Sequence, residues 1–236
     1  GGQWHGQPGN CMAACGSSGC QTCNWCSGCC CKAADYQLDT FALDPETETI
    51  VEILQDAKKK NSGLVIMGSP WTPPAWLKKW GLLAGQHNDN TLLGGDAPVQ
   101  TYAKYFLKIK TTFSAKGVPI EYLTLQNEPL FAPTYPGMYL SSWDYGRLAK
   151  AVKEKVGDSP RILAYDHNWD HPEYALQAMQ QAGEGVFFGT AFHCYNGSMS
   201  KAHSDILTQQ SEDLEIMMTE CTGSYPNSQC DINKGM

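Results

Sequence analysis

The stretch Tyr122-Leu123-Thr124-Leu125-Gln126-Asn127-Glu128-Pro129 decides the fold. Four residues suited to a strand run directly into a polar tail that a proline closes, and an amphipathic stretch over about 99–116 precedes them. The same unit recurs on both sides. Leu64-Val65-Ile66-Met67 follows a helical pattern over 45–60. Arg161-Ile162-Leu163-Ala164-Tyr165 follows one over 142–156, Gly189-Thr190-Ala191-Phe192 one over 173–181, and Ile216-Met217-Met218-Thr219 one over 202–210. Short, continuously apolar strands alternating with helices predict an α/β fold, a parallel sheet covered on both faces. The spacing of the units suits a (β/α)8 barrel of TIM type. Such a barrel takes eight strands and about 250 residues, whereas the pattern here supplies five, so the expectation is an incomplete barrel over residues 35–236.

Residues 1–34 read differently. GGQWHGQPGNCMAACGSSGCQTCNWCSGCCCKAA is a Cys/Gly-rich segment with almost no aliphatic residues, unable to build a core alone. Eight of the chain's eleven cysteines fall between Cys11 and Cys31, and only Cys194, Cys221 and Cys230 lie beyond. That abundance indicates an oxidising, secreted setting with disulfide bonds. The spacing Cys20-x-x-Cys23-x-x-Cys26 followed by Cys30 also resembles an iron–sulfur run, and zinc is a third reading. The adjacent Cys29, Cys30 and Cys31 favour a disulfide cluster.

Composition narrows the function. Hydrophobic residues make up 42% and charged residues 17%, enough for a packed core, and the net charge is −7. No basic stripe interleaves with aromatics, which argues against nucleic acid as a partner. No run approaches the ~18 apolar residues of a membrane helix. The start at Gly1-Gly2, without Met or an apolar leader, reads as a processed form or a fragment. Seven Trp and eleven Tyr lie mostly in loop-like stretches, where flat rings with polar tips suit the apolar faces of sugars. Asn196-Gly197-Ser198 is an N-glycosylation sequon beside the expected cleft, where a glycan would obstruct substrate.

Functional groups in parallel α/β folds gather at the C-terminal ends of strands. Two ends offer a carboxylate directly after the apolar run, Glu128 and Glu220. They are 92 residues apart (220 − 128), or three βα units of about 31 residues each. Both side chains should therefore enter one cleft. Two carboxyls about 5 Å apart, one protonated and one ionised, are what glycoside hydrolysis with retention requires. Asn127 is placed to bond a sugar hydroxyl beside the acid, and Pro129 fixes the chain after it.

The segments SPWTPPAW, TLQNEPL, YDHNWD, FHCYNG and MTECTGS, in that order, resemble glycoside hydrolase family 30, which includes glucosylceramidases and fungal endo-β-1,6-glucanases. The resemblance runs over about residues 35–223. It implies a (β/α) barrel with a β-sandwich beside it, and a retaining β-glycosidase acting on β-glucan or a β-glucoside without metal or other cofactor. Carried over motif by motif, Glu128 is the acid/base and Glu220 the nucleophile. Trp71 lines the sugar subsite, Asn127 touches the sugar, and His193 and Tyr195 help orient the nucleophile. Asp166, His167 and Trp169 resemble a cleft wall, with substrate contact expected of Trp169. The family's two first strands, its last strand and its β-sandwich have no counterpart in the pattern. A second copy or another chain is therefore expected to complete the barrel. The rival expectation is a catalytically weak relative that binds glycan or builds an extracellular wall, coat or filament.

Overall fold

The computed structural model describes residues 34–85, 88–209 and 214–222. The cysteine-rich segment up to Cys31, with its disulfide and metal readings, and Cys230 lie outside them.

The order is α1 (Pro45–Lys60), β1 (Met67–Gly68), α2 (Asp96–Ala115), β2 (Tyr122–Leu123), α3 (Ser142–Val156), β3 (Arg161–Asn168), α4 (Pro172–Ala182), β4 (Gly189–His193), α5 (Met199–Gln209) and β5 (Glu215–Glu220). Among the described residues the five strands form one sheet in chain order, β1-β2-β3-β4-β5, every pair parallel. This is part of a (β/α)8 barrel, as the alternation of strand and helix predicts.

Local signals account for the helices. Asp44 caps α1 by accepting the Thr47 N–H at 2.8 Å, with Pro45 in the first turn, acids at its start and three lysines at its end. Ser141 caps α3 in the same manner, and Gly157, at φ 73°, ends it. Gly146 of α3 is required by packing. A Cβ there would stand 2.5 Å from the Ala178 carbonyl oxygen of α4, so any side chain would push the two helices apart.

The core fills the space between sheet and helices. Tyr145 of α3 anchors both layers, its buried hydroxyl accepting the Leu125 N–H and donating to the Leu163 carbonyl, each at 3.0 Å. A second cluster of Val51, Ile66, Phe113, Val118 and Ile120 seats α1 and α2 beside β1. The ladder of β1 is shorter than the apolar run 64–67 predicts: it takes only Met67 and Gly68, and Val65 is 57% exposed. β1 is an edge of the described sheet, so only the part facing β2 is drawn into pairing.

β3 departs most from regular geometry. Its register with β4 shifts between Tyr165 and His167, and Tyr165 and Asp166 have φ of 84° and 75°. A bulge breaks the in–out alternation of a strand and re-aims its side chains. As a result Asp166 and His167, neighbours in sequence, both face the cleft, while Trp169 turns away from it.

Candidate active site

The C-terminal ends of all five strands meet around one buried carboxylate. Asp166 is 1% exposed. It accepts hydrogen bonds from Ser69 Oγ, just beyond β1, and Thr124 Oγ1, just beyond β2, each at 2.6 Å to Oδ2. Its Oδ1 takes Thr219 Oγ1 of β5 at 2.6 Å and His193 Nε2 of β4 at 3.1 Å. Burial disfavours the charge, but these four donors outweigh it and hold the Asp166 carboxyl below its ordinary value.

Glu128 stands over this hub. Its backbone is in the left-handed region, φ 47°, where a residue with a side chain is strained by about 1–3 kcal/mol. The strain is held by the Glu128 N–H on the Asp166 carbonyl at 2.9 Å and the Asn127 N–H on the Pro70 carbonyl at 2.8 Å. His193 Nδ1 meets Glu128 Oε1 at 3.4 Å, and His167 Nε2 lies 3.8 Å from the same oxygen. The bond from His193 pulls the Glu128 carboxyl below its ordinary value, with burial opposing.

Glu220 ends β5 and takes the Tyr195 hydroxyl at 2.9 Å, while that hydroxyl accepts the Thr222 N–H at 3.1 Å. A disulfide between Cys194 and Cys221 ties together the residues that follow His193 and Glu220. One carboxylate oxygen of Glu128, one ring nitrogen of His193 and one carboxylate oxygen of Glu220 lie within 4.8 Å of one another.

His193 is therefore enclosed by acids. Its Nε2 is also 3.9 Å from Glu220 Oε2. Burial opposes its charge, but the bonds to Asp166 and Glu128, with the charges of Asp166 and Glu220, push the ring up to about 9. His167 differs: burial pushes its ring below the ordinary value, with the Glu128 charge opposing. Glu128, His193 and Glu220 have the donor types and spacing of a metal site. In the structure a His193 Nδ1–Glu128 Oε1 contact at 3.4 Å joins two of the three directly.

The structure brings together Glu128, Glu220, Asn127, His193, Tyr195 and Trp71. Trp71 and Asn127 line one pocket with Glu128, Phe131 and Tyr135. The Trp71 ring is 47% exposed and 5.5 Å from that of Tyr135. Trp169 is not brought there. It is 6% exposed and stacked on Phe192 at 4.4 Å, within the main core. Its expected place in the cleft wall is corrected by the bulge, which sends the end of β3 outward. Sequence reasoning passes over Ser69, Thr124 and Thr219, whose hydroxyls meet only in three dimensions, and it reads Asp166 as wall rather than hub. The small polar residue at or just past each apolar run is the signal that could have found them.

Paired carboxylates at the strand ends of a parallel (β/α) barrel define a glycoside hydrolase type of site. The chain matches the glycosyl hydrolase family 30 TIM-barrel domain over residues 26–235 and belongs to that family. It is 34% identical over 200 residues to an endo-1,6-beta-D-glucanase of Trichoderma harzianum, covering 80% of this chain and 40% of that protein. With an endo-1,6-beta-D-glucanase of Neurospora crassa the identity is 32% over 192 residues, 79% of this chain and 39% of the other. Among solved structures, the endo-beta1,6-glucanase BT3312 superposes with a TM-score of 0.66 at 27% identity, covering 80% of this chain and 44% of that one. The chain thus spans about two fifths of the length of the curated relatives it matches.

Proposed function

We propose that these residues form the active site of a retaining β-glycosidase whose substrate is β-glucan, β-1,6-linked glucan first. The observation that carries the reading is the approach of Glu128 and Glu220 oxygens to within 4.8 Å. Retaining enzymes hold their carboxyls about 5–5.5 Å apart, inverting ones about 6.5–9.5 Å. The substrate follows from the relatives' named activity.

In the first step Glu220 attacks C1 of the sugar, the C1–O bond to the leaving chain breaks, and Glu128 gives that oxygen a proton. In the second, Glu128 takes a proton from water, the water oxygen bonds to C1, and Glu220 leaves. His193 Nδ1, 3.4 Å from Glu128 Oε1, holds that carboxyl in place for both transfers. Tyr195 steadies Glu220 by donating to Oε1. Trp71 and Asn127 contact the sugar, and no cofactor takes part. The Cys194–Cys221 disulfide supports an extracellular setting, and no described helix is long and apolar enough to cross a membrane.

Proton NMR of the first product from a β-1,6-gluco-oligosaccharide tests the mechanism. The β-anomer is expected before mutarotation, and an α-anomer formed first would overturn the reading.

A second copy or another chain at the sheet edges, expected from the sequence, is part of the same proposal. β1 and β5 are the two edges of the described sheet, and Val65 and Met218 beside them are 57% and 59% exposed. Open apolar edges invite pairing. A strand from a second copy or another chain is expected to cover them, and light scattering that gives a single-chain mass at micromolar concentration counts against it.

A further inference from the structure

Lys78 is the buried cation that the proposed reaction does not use. It is 2% exposed and has no carboxylate partner among the described residues. Its ammonium instead donates to four oxygens: Thr72 Oγ1 at 3.0 Å, Leu83 O at 2.8 Å, Ala84 O at 3.3 Å and Gly137 O at 2.7 Å. Burial pushes the amine down to about 7, and these four acceptors act in the opposite sense by stabilising the protonated form.

The oxygens belong to two loops. Thr72, Leu83 and Ala84 lie in the loop after β1, Gly137 in the loop after β2. The same loops meet through the Gly85 N–H on the Tyr135 carbonyl at 3.1 Å and the Gly137 N–H on the Leu83 carbonyl at 3.2 Å. They pack so closely that a Cβ on Gly85 would stand 2.7 Å from the backbone at Ala132 and Pro133. Each loop carries part of one aromatic wall beside Glu128. Trp71 comes from the first, and Phe131 and Tyr135 come from the second. The three rings are 45–47% exposed, with Tyr135 5.5 Å from Trp71 and 6.4 Å from Phe131.

We propose that Lys78 is a positioning residue for this wall: its ammonium clasps the two loops, so that sugar affinity depends on it and the bond-breaking step does not. The inference rests on the glycosidase reading for its kinetic part alone. Fixing the rings before substrate arrives removes an ordering cost from binding. A hydrogen bond to a charged group is worth about 1.5–3 kcal/mol.

The test uses Lys78→Met, which keeps length and loses the donors, and Thr72→Val, which removes one acceptor at the surface of the clasp and serves where Lys78→Met does not fold. Hydrogen exchange followed by mass spectrometry is read at the Gly85 and Gly137 amides. Lys78→Met is expected to speed exchange there about tenfold or more, with α3 and α4 unchanged. KM for β-1,6-glucan is expected to rise about tenfold with kcat within about twofold, the signature of lost uniform binding. Unchanged exchange in a folded variant overturns the clasp. Faster exchange with unaltered KM, or a fall in kcat alone, overturns the positioning role. Absence of turnover in the unsubstituted protein would instead refute the glycosidase reading, and the exchange result would still decide the clasp.

Discussion

Glu220→Gln is expected to lower kcat on β-1,6-glucan by about 10⁴-fold or more, the order seen when a covalent nucleophile is removed. Glu220 ends β5 with its carboxylate 39% exposed toward the cleft and its orientation held by the Tyr195 hydroxyl at 2.9 Å. An amide keeps the shape and can still accept that bond, but it cannot form the glycosyl ester. Glu128→Gln is expected to cost about 10²–10⁴-fold, and less on an aryl glucoside whose leaving group needs no proton. The order of the two losses, and the dependence of the second on the leaving group, separate the roles. Glu220→Gln with near-parental kcat would remove the nucleophile from this position, and equal Glu128→Gln losses on both substrates would remove the acid.

The second large effect is on stability. Asp166→Ala leaves the His193 charge and three hydroxyls without their shared acceptor in a buried site. Removing one partner of a buried ion pair costs about 3–5 kcal/mol, or roughly 10 °C in Tm for a chain of this size. The same change reaches the chemistry. Burial opposes the His193 charge, and the bond from Asp166 does most to raise the ring against it, so without Asp166 the ring falls from about 9. With the parent ring raised to about 9, the alkaline limb of kcat/KM is expected near that pH. In Asp166→Asn, which preserves shape but not charge, this limb is expected to move to lower pH. For stability the sign is the same: a ring raised above its ordinary 6.5 contributes fully below that pH, and the contribution is lost as pH rises through about 9. A melt within about 2 °C of the parent for Asp166→Ala, or an alkaline limb that stays in place for Asp166→Asn, would show that the hub does neither job.

Much of this was legible in the residues. The bounds of α1 and α3 follow from Asp44-Pro45, Ser141 and Gly157, local signals that act through the nearest backbone groups. Glu128 and Glu220 stood out because an acid directly after an apolar run has few places to go except the sheet's end. What escaped was non-local. The bulge at Tyr165–His167 arises from tertiary demand, and it inverts the expectation for Trp169 while delivering Asp166 to the centre. Lys78, in Leu77-Lys78-Lys79-Trp80, looks like any solvated lysine. Its neighbour Lys79 is one, paired with Asp89 at the surface, and only the folding of two loops over Lys78 distinguishes them.

Asp166 gathers its donors from residues 97, 42, 27 and 53 positions away along the chain. The full set of these contacts cannot form until every strand from β1 to β5 has arrived, and the last donor, Thr219, is also nearly the last described residue to be synthesised. Long-range closures of this kind come late, because the chain must give up loop entropy before they return any energy. The carboxylate that holds the glutamate and histidine in place is thus also a completion check. An intermediate lacking β5 has neither Glu220 in place nor all four donors on Asp166, so the proposed site is assembled only with the finished sheet.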